Sequence, residues 1–492
     1  MSDVLVVGDD LTGSNGTANG LVRRGLRSGT MRAGPPAAGS PETDHLHRVD
    51  RVGPYREVFD ALVVTTDSRH LPPAEAAALT REAVRAGWPA RLVASRCDST
   101  LRGNVGPEAE AVLSAVAELS GTETIGLCMP AFPSADRQTL AGLQLMGGRR
   151  LEQTELARDV RSPMTTSSVE EVLGDGTRLR CAHIGIAEVT AGGSVLEDAL
   201  GRALETRPDV LIADACTDEH LAAIARAAVA VRPGAMWVTI DPGPGTWAMT
   251  EALGLGRDAS APASEEHSRT PPTAHVIPPT AAPAAPVPAA PVLAVSGSAT
   301  ELTRTQLGRL AEARECTVVR ARYSSGAGHR LDIGATAEAV RRALAALTPG
   351  ASDPGGSTAG APAPVVLLAT VLGSSDLLDL SAEEGDAIPA ALGEVVAQVL
   401  AAAPVRGLYT TGGDITTAVL DRVDGAGIEV HSEVVPLAAA GTIVGGSQHG
   451  TPIVTKGGLV GAADTALVCV TALEQLAARQ HPQVAAASAE PL

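Results

Sequence analysis

Val4-Leu5-Val6-Val7-Gly8-Asp9-Asp10-Leu11-Thr12-Gly13 decides how the rest of the sequence is read. Four consecutive apolar residues that end in a glycine and two aspartates spell a buried strand running into a polar turn. The same grammar returns through the first half. Strands are expected at Ala61–Thr66, Arg91–Ser95, Thr124–Met129, Asp209–Asp214 and Met236–Ile240, alternating with Ala-rich helical stretches. That alternation predicts an α/β fold with a mostly parallel sheet. In such sheets ligands sit beyond the carboxyl ends of the strands. Here that edge gathers Asp9, Asp10, Asp67, Arg69, Asp98, Arg102 and Arg137, a polar pocket in prospect.

The second half repeats the pattern with glycine-rich turns. Val292–Val295 leads into Ser296-Gly297-Ser298, Gly407–Thr410 into Thr411-Gly412-Gly413-Asp414-Ile415, and Ile453–Thr455 into Lys456-Gly457-Gly458 before a helix expected at Ala462–Leu476. Such turns expose backbone N–H groups at helix starts, where an anion such as phosphate can approach closely. Between the halves, residues 257–291 are rich in Pro and Ala and carry no hydrophobic period. They read as a semi-stiff, exposed linker. The chain is therefore expected to form two α/β domains, 1–256 and 292–478, joined by the 257–291 linker and followed by a disordered tail, 479–492. Thr348–Pro364 reads as a long surface loop, and Met31–Tyr55 as an irregular insert carrying His45 and His47.

Composition excludes several classes. The 492 residues carry a formal charge of −18 and only 3 Trp, 3 Tyr and 2 Phe, so neither a phosphate-backbone surface nor a base-stacking platform is expected. No stretch approaches the roughly 18–20 apolar residues of a membrane span, and the first residues lack a basic, then apolar, leader. The six cysteines are scattered without Cys-x-x-Cys spacing, which reads as reduced thiols in a cytoplasmic protein. No metal-ligand spacing stands out, so no metal-binding residue is assigned.

Each motif has a plain structural reading beside its functional one. Asp10 and Thr12 suit a helix cap, yet two adjacent carboxylates are costly unless a cation or a polar ligand uses them. Asp98-Ser99-Thr100-Leu101-Arg102-Gly103-Asn104 could be a surface turn. It also suits a polyhydroxylated anion, with Arg clamping a carboxylate and Asp and Ser binding hydroxyls. Ser298-x-x-Glu301 matches a capping box. Lys456 could be an exposed lysine. Neither a Walker A motif nor a dinucleotide fingerprint occurs.

Taken in order, these segments resemble the four-carbon acid sugar kinase family, whose members phosphorylate threonate, erythronate or 3-oxo-tetronate with ATP. The resemblance rests on Gly8-Asp9-Asp10-Leu11-Thr12-Gly13, Asp67-Ser68-Arg69, the Asp98–Asn104 segment, Pro130-Ala131-Phe132-Pro133 and Thr154-Glu155. It covers roughly residues 1–250 and 292–478. It implies an acid-sugar domain followed by a nucleotide domain, with Ser296, Gly412, Gly413, Asp414, Ile415, Lys456 and Gly458 at the nucleotide. Ile415 stands where the family usually has Thr or Ser, and the Lys-x-Gly-x-Phe-Gly pattern lacks its Phe.

The implied reaction is transfer of the ATP γ-phosphoryl group to a terminal hydroxyl, with Mg²⁺ neutralising phosphate charge and the linker letting one domain close on the other. Arg102 and Arg69 would hold the carboxylate; Asp9, Thr12, Asp67, Ser68, Ser99 and Arg137 would line the acid site. Asp10, Asp98 or Asp414 would accept the hydroxyl proton. The expected partners are a sugar acid and ATP, with neither nucleic acid nor membrane, and a homo-oligomer is possible. The departures at Ile415 and the missing Phe motivate the alternative, a sugar-acid-binding sensor without turnover.

Overall fold

The computed structural model describes residues 1–33, 49, 51–159, 162–256, 290–324, 329–348 and 362–479. The linker at 257–289, the tail at 480–492, the 349–361 loop and the insert at 34–48, with His45 and His47, lie outside the described residues. The chain divides into two compact units, whose described residues are 1–256 and 290–479.

The first unit is built on parallel strands β1 (Val4–Gly8), β2 (Ser28–Arg32), β3 (Ala61–Thr65), β4 (Leu92–Arg96), β5 (Thr124–Cys128), β9 (Cys181–Ile184), β10 (Val210–Ala213) and β11 (Met236–Asp241). Their order across the sheet is β2-β3-β1-β4-β11-β5-β10-β9. Helices pack on the strands, so β1, β3 and β4 are buried along their whole length, which is why they read as apolar runs. β2 reads Ser-Gly-Thr-Met-Arg and gives no such signal. Met31 and Arg32, expected in an irregular insert, therefore lie in a fully buried strand. β9 escaped notice too, being a half-exposed edge strand.

Three short strands, β6 (Arg137–Leu140), β7 (Leu143–Met146) and β8 (Arg149–Arg150), form a separate antiparallel sheet. They occupy a stretch for which the sequence reading named Arg137 but no strand. The chain leaves β1 toward β2 and β3 but leaves β4 toward β5 and β11. The β1/β4 boundary is thus a topological switch point, where a crevice opens at the strand ends.

The second unit orders its sheet as β13-β14-β12-β15-β18-β17-β16. β12 (Val292–Ser296), β13 (Cys316–Arg320), β14 (Val365–Ala369), β15 (Gly407–Thr411) and β18 (Pro452–Lys456) run parallel. β16 (Gly427–Val435) and β17 (Ala438–Val444) add an antiparallel hairpin that the sequence reading did not anticipate. Val292, Ala294, Leu367, Tyr409, Val454, Cys469 and Leu473 belong to one buried core. The last helix runs Thr465–Arg479, shifted three residues toward the C-terminus from its expected span. Pro291 already accepts a hydrogen bond from Arg406 N, 3.0 Å away, so the linker's final residues are tied to the sheet.

Helix Ala382–Leu400 meets helix Gly413–Arg422 at Gly393, where an added Cβ would stand 2.5 Å from the Ala418 carbonyl oxygen. Backbone cannot yield as a flexible side chain can. Gly393→Ala is expected to destabilise the protein by about 1–3 kcal/mol in urea unfolding, as overpacking does; unchanged stability would show that the helices separate freely.

Candidate functional site

The first unit's site grows from the ends of β1, β3 and β4. Asp9 and Asp10 follow β1, and Asp10 caps helix Leu11–Val22 by accepting from Gly13 N at 3.3 Å. The cap reading and the functional one are both met, since the same carboxylates face two arginines. Arg69 donates through Nε to Asp9 Oδ2 at 2.6 Å, through Nη2 to Asp9 Oδ1 at 3.0 Å, and through Nη2 to Asp10 Oδ1 at 2.8 Å. Arg96 Nη1 reaches Asp9 Oδ1 at 3.1 Å and Asp10 Oδ1 at 2.6 Å.

Arg96 was not among the expected site residues. It closes β4, one residue beyond the expected strand Arg91–Ser95, yet two neighbouring carboxylates called for a second cation. Gly13 was the other signal: a Cβ there would stand 1.9 Å from the Arg96 guanidinium.

Asp98 holds the third corner. Its carboxylate takes Arg102 Nε at 3.0 Å, Arg102 Nη2 at 3.2 Å and Thr100 N at 3.1 Å, and it accepts from the Thr100 hydroxyl. Arg69 stands 3.7 Å away. Burial alone would raise the pKa of Asp98, but Arg69 and Arg102 overrule it and hold the carboxyl far below the usual carboxylate range. Asp10 follows the same logic: burial pushes upward, and Arg69 and Arg96 bring it down on balance. Both are strongly held anions rather than ready proton acceptors in the resting protein.

The remaining expected residues fall in different places. Arg102 also donates to Asp159 at 3.2 Å. Ser68 is fully buried and pairs with Glu108. Asp67 adopts φ +50° and accepts from Arg32 Nη2 at 3.4 Å, on the β2 side of the cluster. Thr12 is half-buried in the first turn of its helix. The Ser99 carbonyl is held by Gln144 Nε2 at 2.8 Å. Arg137 lies on β6 and donates to the Ala135 carbonyl, so the structure does not join it to the carboxylates. A cavity of about 740 Å³ adjoins Arg69 and the Gly103–Pro107 segment, lined also by Met164, Thr166 and Glu171. Arg69 faces it; Arg102 does not line it.

The second unit has its own switch point, because the chain leaves β12 toward β13 and leaves β15 toward the β18 side. Ser296 is buried at the end of β12, and Gly412, at φ +104°, precedes helix Gly413–Arg422. That helix has no side-chain cap, so its first N–H groups are open. Asp414 is exposed in its first turn. Ile415 is buried, and a Cβ on Gly297 would stand 2.6 Å from its Cδ1. Its side chain therefore packs beneath the turn, leaving only its backbone available to a ligand.

Lys456, at the end of β18 and paired in register with Thr411, is 2% exposed rather than solvated. Nζ donates to Gly457 O at 2.7 Å and Val460 O at 3.4 Å, and no carboxylate pairs with it among the described residues. Burial brings its pKa down to about 8. Thr303 and Gln306, also absent from the expected set, hold the following loop through Gly458 O, Val460 O and Ala462 O at 2.9 Å each. The adjoining helix, Glu301–Ala313, is capped by Thr300 and not by the Ser298 box.

The comparisons with known proteins divide the chain in the same way. Residues 4–249 match the model of a sugar-binding N-terminal domain, and residues 293–466 that of a nucleotide-binding C-terminal domain. A D-erythronate kinase from Heliobacterium modesticaldum is 34% identical over 96% of this chain and 97% of its own length. A D-threonate kinase from Salmonella typhimurium is 26% identical, covering 96% of this chain and 99% of its own. A 3-oxo-tetronate kinase from Methylobacterium radiotolerans is 32% identical over 45% of this chain and 49% of its own. Solved structures from Salmonella typhimurium and Haemophilus influenzae share the fold, with TM-scores of 0.67 and 0.66 at 18% and 17% identity. They cover 95% of this chain each, and 98% and 100% of their own. The chain belongs to the four-carbon acid sugar kinase family.

Asp9 and Asp10 depend on two buried cations. Arg96→Met should leave them uncompensated, costing about 3–5 kcal/mol, the usual penalty for breaking a buried pair from one side. It should also bring Asp10 back toward an ordinary acidity. Asp10 and Asp98 are depressed in the folded state, so their contribution to stability is present above the unfolded carboxylate pKa and is lost as pH falls through the lower folded value. The wild type is expected to hold its stability at mild acidity better than Arg96→Met, as read by thermal unfolding from pH 7 to pH 3; parallel curves would remove Arg96 from the network.

Proposed function

We propose that this chain transfers the γ-phosphoryl group of ATP to the terminal hydroxyl of a four-carbon sugar acid, with D-erythronate the first acid to test. The observation that carries this reading is the pairing of two prepared anion sites, one in each unit. The first is an arginine-rich cluster beside a cavity, Arg69 being the cation that faces it. The second is a buried lysine at a glycine-rich strand end, without a counter-ion among the described residues. The 34% identity to a D-erythronate kinase over nearly the whole of both chains supports the choice of acid.

In the first unit Arg69 would take the substrate carboxylate. Nε and Nη2 are committed to Asp9 and Asp10, which fix the plane of the guanidinium, while no bond to Nη1 is among the described contacts. Arg102, bound on three sides to Asp98 and Asp159, orients Asp98 for a substrate hydroxyl. In the second unit Lys456 and the open N–H groups of Gly412–Asp414 would hold phosphate oxygens, where the nucleotide's charge supplies the missing partner.

Mg²⁺ enters with the nucleotide and is held mainly by its phosphates. The metal supplies charge neutralisation; Asp414, exposed in the first turn of its helix, is the carboxylate of this unit placed to approach it. Asp10, Asp98 and Asp414 are the candidate proton acceptors, of which Asp10 and Asp98 are held as weak bases by their arginines.

ADP release should be measured with ATP, Mg²⁺ and a panel of D-erythronate, D-threonate and 3-oxo-tetronates. Turnover of at least one acid is expected, with the phosphate on its terminal carbon. Tight acid binding by calorimetry without turnover on any member would overturn the kinase reading in favour of a sensor. Lys456→Met should raise the KM for ATP tenfold or more and leave acid binding unchanged, the loss expected for about 1.4 kcal/mol of binding energy. An unchanged ATP KM would remove Lys456 from the nucleotide site.

A further inference from the structure

One buried acid takes no part in that reaction. Glu108 lies in the first turn of helix Val105–Ser120, but the residue is only 6% exposed, and its carboxyl is hydrogen-bonded to the hydroxyl of Ser68. Ser68 Oγ meets Thr66 Oγ1 at 2.6 Å, and Thr66 Oγ1 stands 3.0 Å from the Gly8 carbonyl oxygen. These contacts form a chain, Glu108–Ser68–Thr66–Gly8 O, in which each hydroxyl has a single proton to give. When Thr66 donates to the carbonyl, Ser68 donates to Thr66, and only a protonated carboxyl can complete the third bond. The opposite order, with an ionised Glu108, leaves the Thr66–Gly8 contact without a proton. It also places a further negative charge beside Asp9.

Asp9 from the β1 turn, Arg69 from the β3 turn and Arg96 from β4 are the charges that act on Glu108, and both arginines are engaged by Asp9 and Asp10. We infer that Glu108 is a positioning residue for the acid site, a neutral carboxylic acid that holds, through Ser68, the turn carrying Arg69.

The turn is gripped from the same helix start by Asn104, whose Nδ2 donates to Ser68 O at 3.1 Å and Leu71 O at 3.0 Å. Just before these anchors the backbone passes through Asp67 at φ +50°, and between Ser68 and Leu71 it delivers Arg69 to the cavity edge. Burial first, and the charge of Asp9 second, push the Glu108 pKa up to about 8. Losing that proton puts an anion next to Asp9, close to where a substrate carboxylate binds.

The inference rests on the kinase reading, and its test separates the two. With the full-length protein and the acid that it turns over, wild-type kcat/KM for the acid should fall about tenfold per pH unit above the Glu108 transition, as for one required protonated group. The acid is varied at saturating ATP, because Lys456 titrates in the same range and its deprotonation weakens nucleotide binding on its own account. Glu108→Gln, which keeps a neutral donor, should stay within about twofold of wild type at pH 7 and lose the alkaline fall. Glu108→Ala should raise the acid KM more than it lowers kcat. An alkaline fall retained in Glu108→Gln, or a Gln variant as impaired at pH 7 as the Ala variant, would overturn the inference.

A substrate-free measurement reads the proton itself. Infrared difference spectra of wild type against Glu108→Gln at pH 7 should show one protonated-carboxyl C=O band that disappears by pH 10. No such band overturns the inference even in an active kinase. No turnover of any acid by wild type overturns the kinase reading, and the positioning role falls with it.

Discussion

Three carboxylates and three guanidinium groups at the ends of β1, β3 and β4 set the terms for the first unit. Asp9, Asp10 and Asp98 are too close together and too buried to coexist without Arg69, Arg96 and Arg102. The fold provides the site, since the switch point between β1 and β4 brings the two strand ends side by side. Small residues complete the arrangement. Gly13 leaves room for the Arg96 guanidinium, and Gly103, at φ +91°, lets the chain pass close to Arg69 and Asp9. A network assembled before substrate arrives lowers the ordering cost of binding, so the chain's −18 total charge does not prevent it from holding an anion.

The second unit uses the opposite device. Where the first unit orients its arginines with carboxylates, the second leaves a lysine buried among backbone carbonyls. An uncompensated cation weakens the resting state, and in the proposed complex a phosphate would supply what is missing. The two designs suit their ligands: a small carboxylate needs a fixed, planar partner, whereas a polyphosphate needs concentrated positive charge and open N–H groups.

Much of this was legible in the sequence because parallel strands buried on both faces leave continuous apolar runs. Strands β1, β3, β4 and β5 were read from Val, Leu, Ile and Ala alone, and Asp9, Asp10, Asp98 and Arg102 from their places just beyond them. What escaped has physical reasons. Ser28–Arg32 is a buried strand whose residues are mostly polar, so no hydrophobic run marks it. The hairpin at 427–444 follows a helix that gives no hint of an antiparallel turn. Arg96 stood just past the expected strand and Glu108 inside a helix, where a charged residue reads as a solvated face. Burial turned both into functional candidates, and burial is a tertiary property. Arg137 illustrates the converse: its place in the sequence implied the pocket, but an antiparallel strand carries it elsewhere.

The central claim is that the first unit's arginines recognise a carboxylate and that the hydroxyls add selectivity. Calorimetric titration of the full chain, without nucleotide, with D-erythronate and separately with erythritol tests it most directly, since the two differ chiefly in the carboxylate. The account predicts measurable heat and saturation for the acid and no detectable binding of the polyol. Equal binding of both would contradict it.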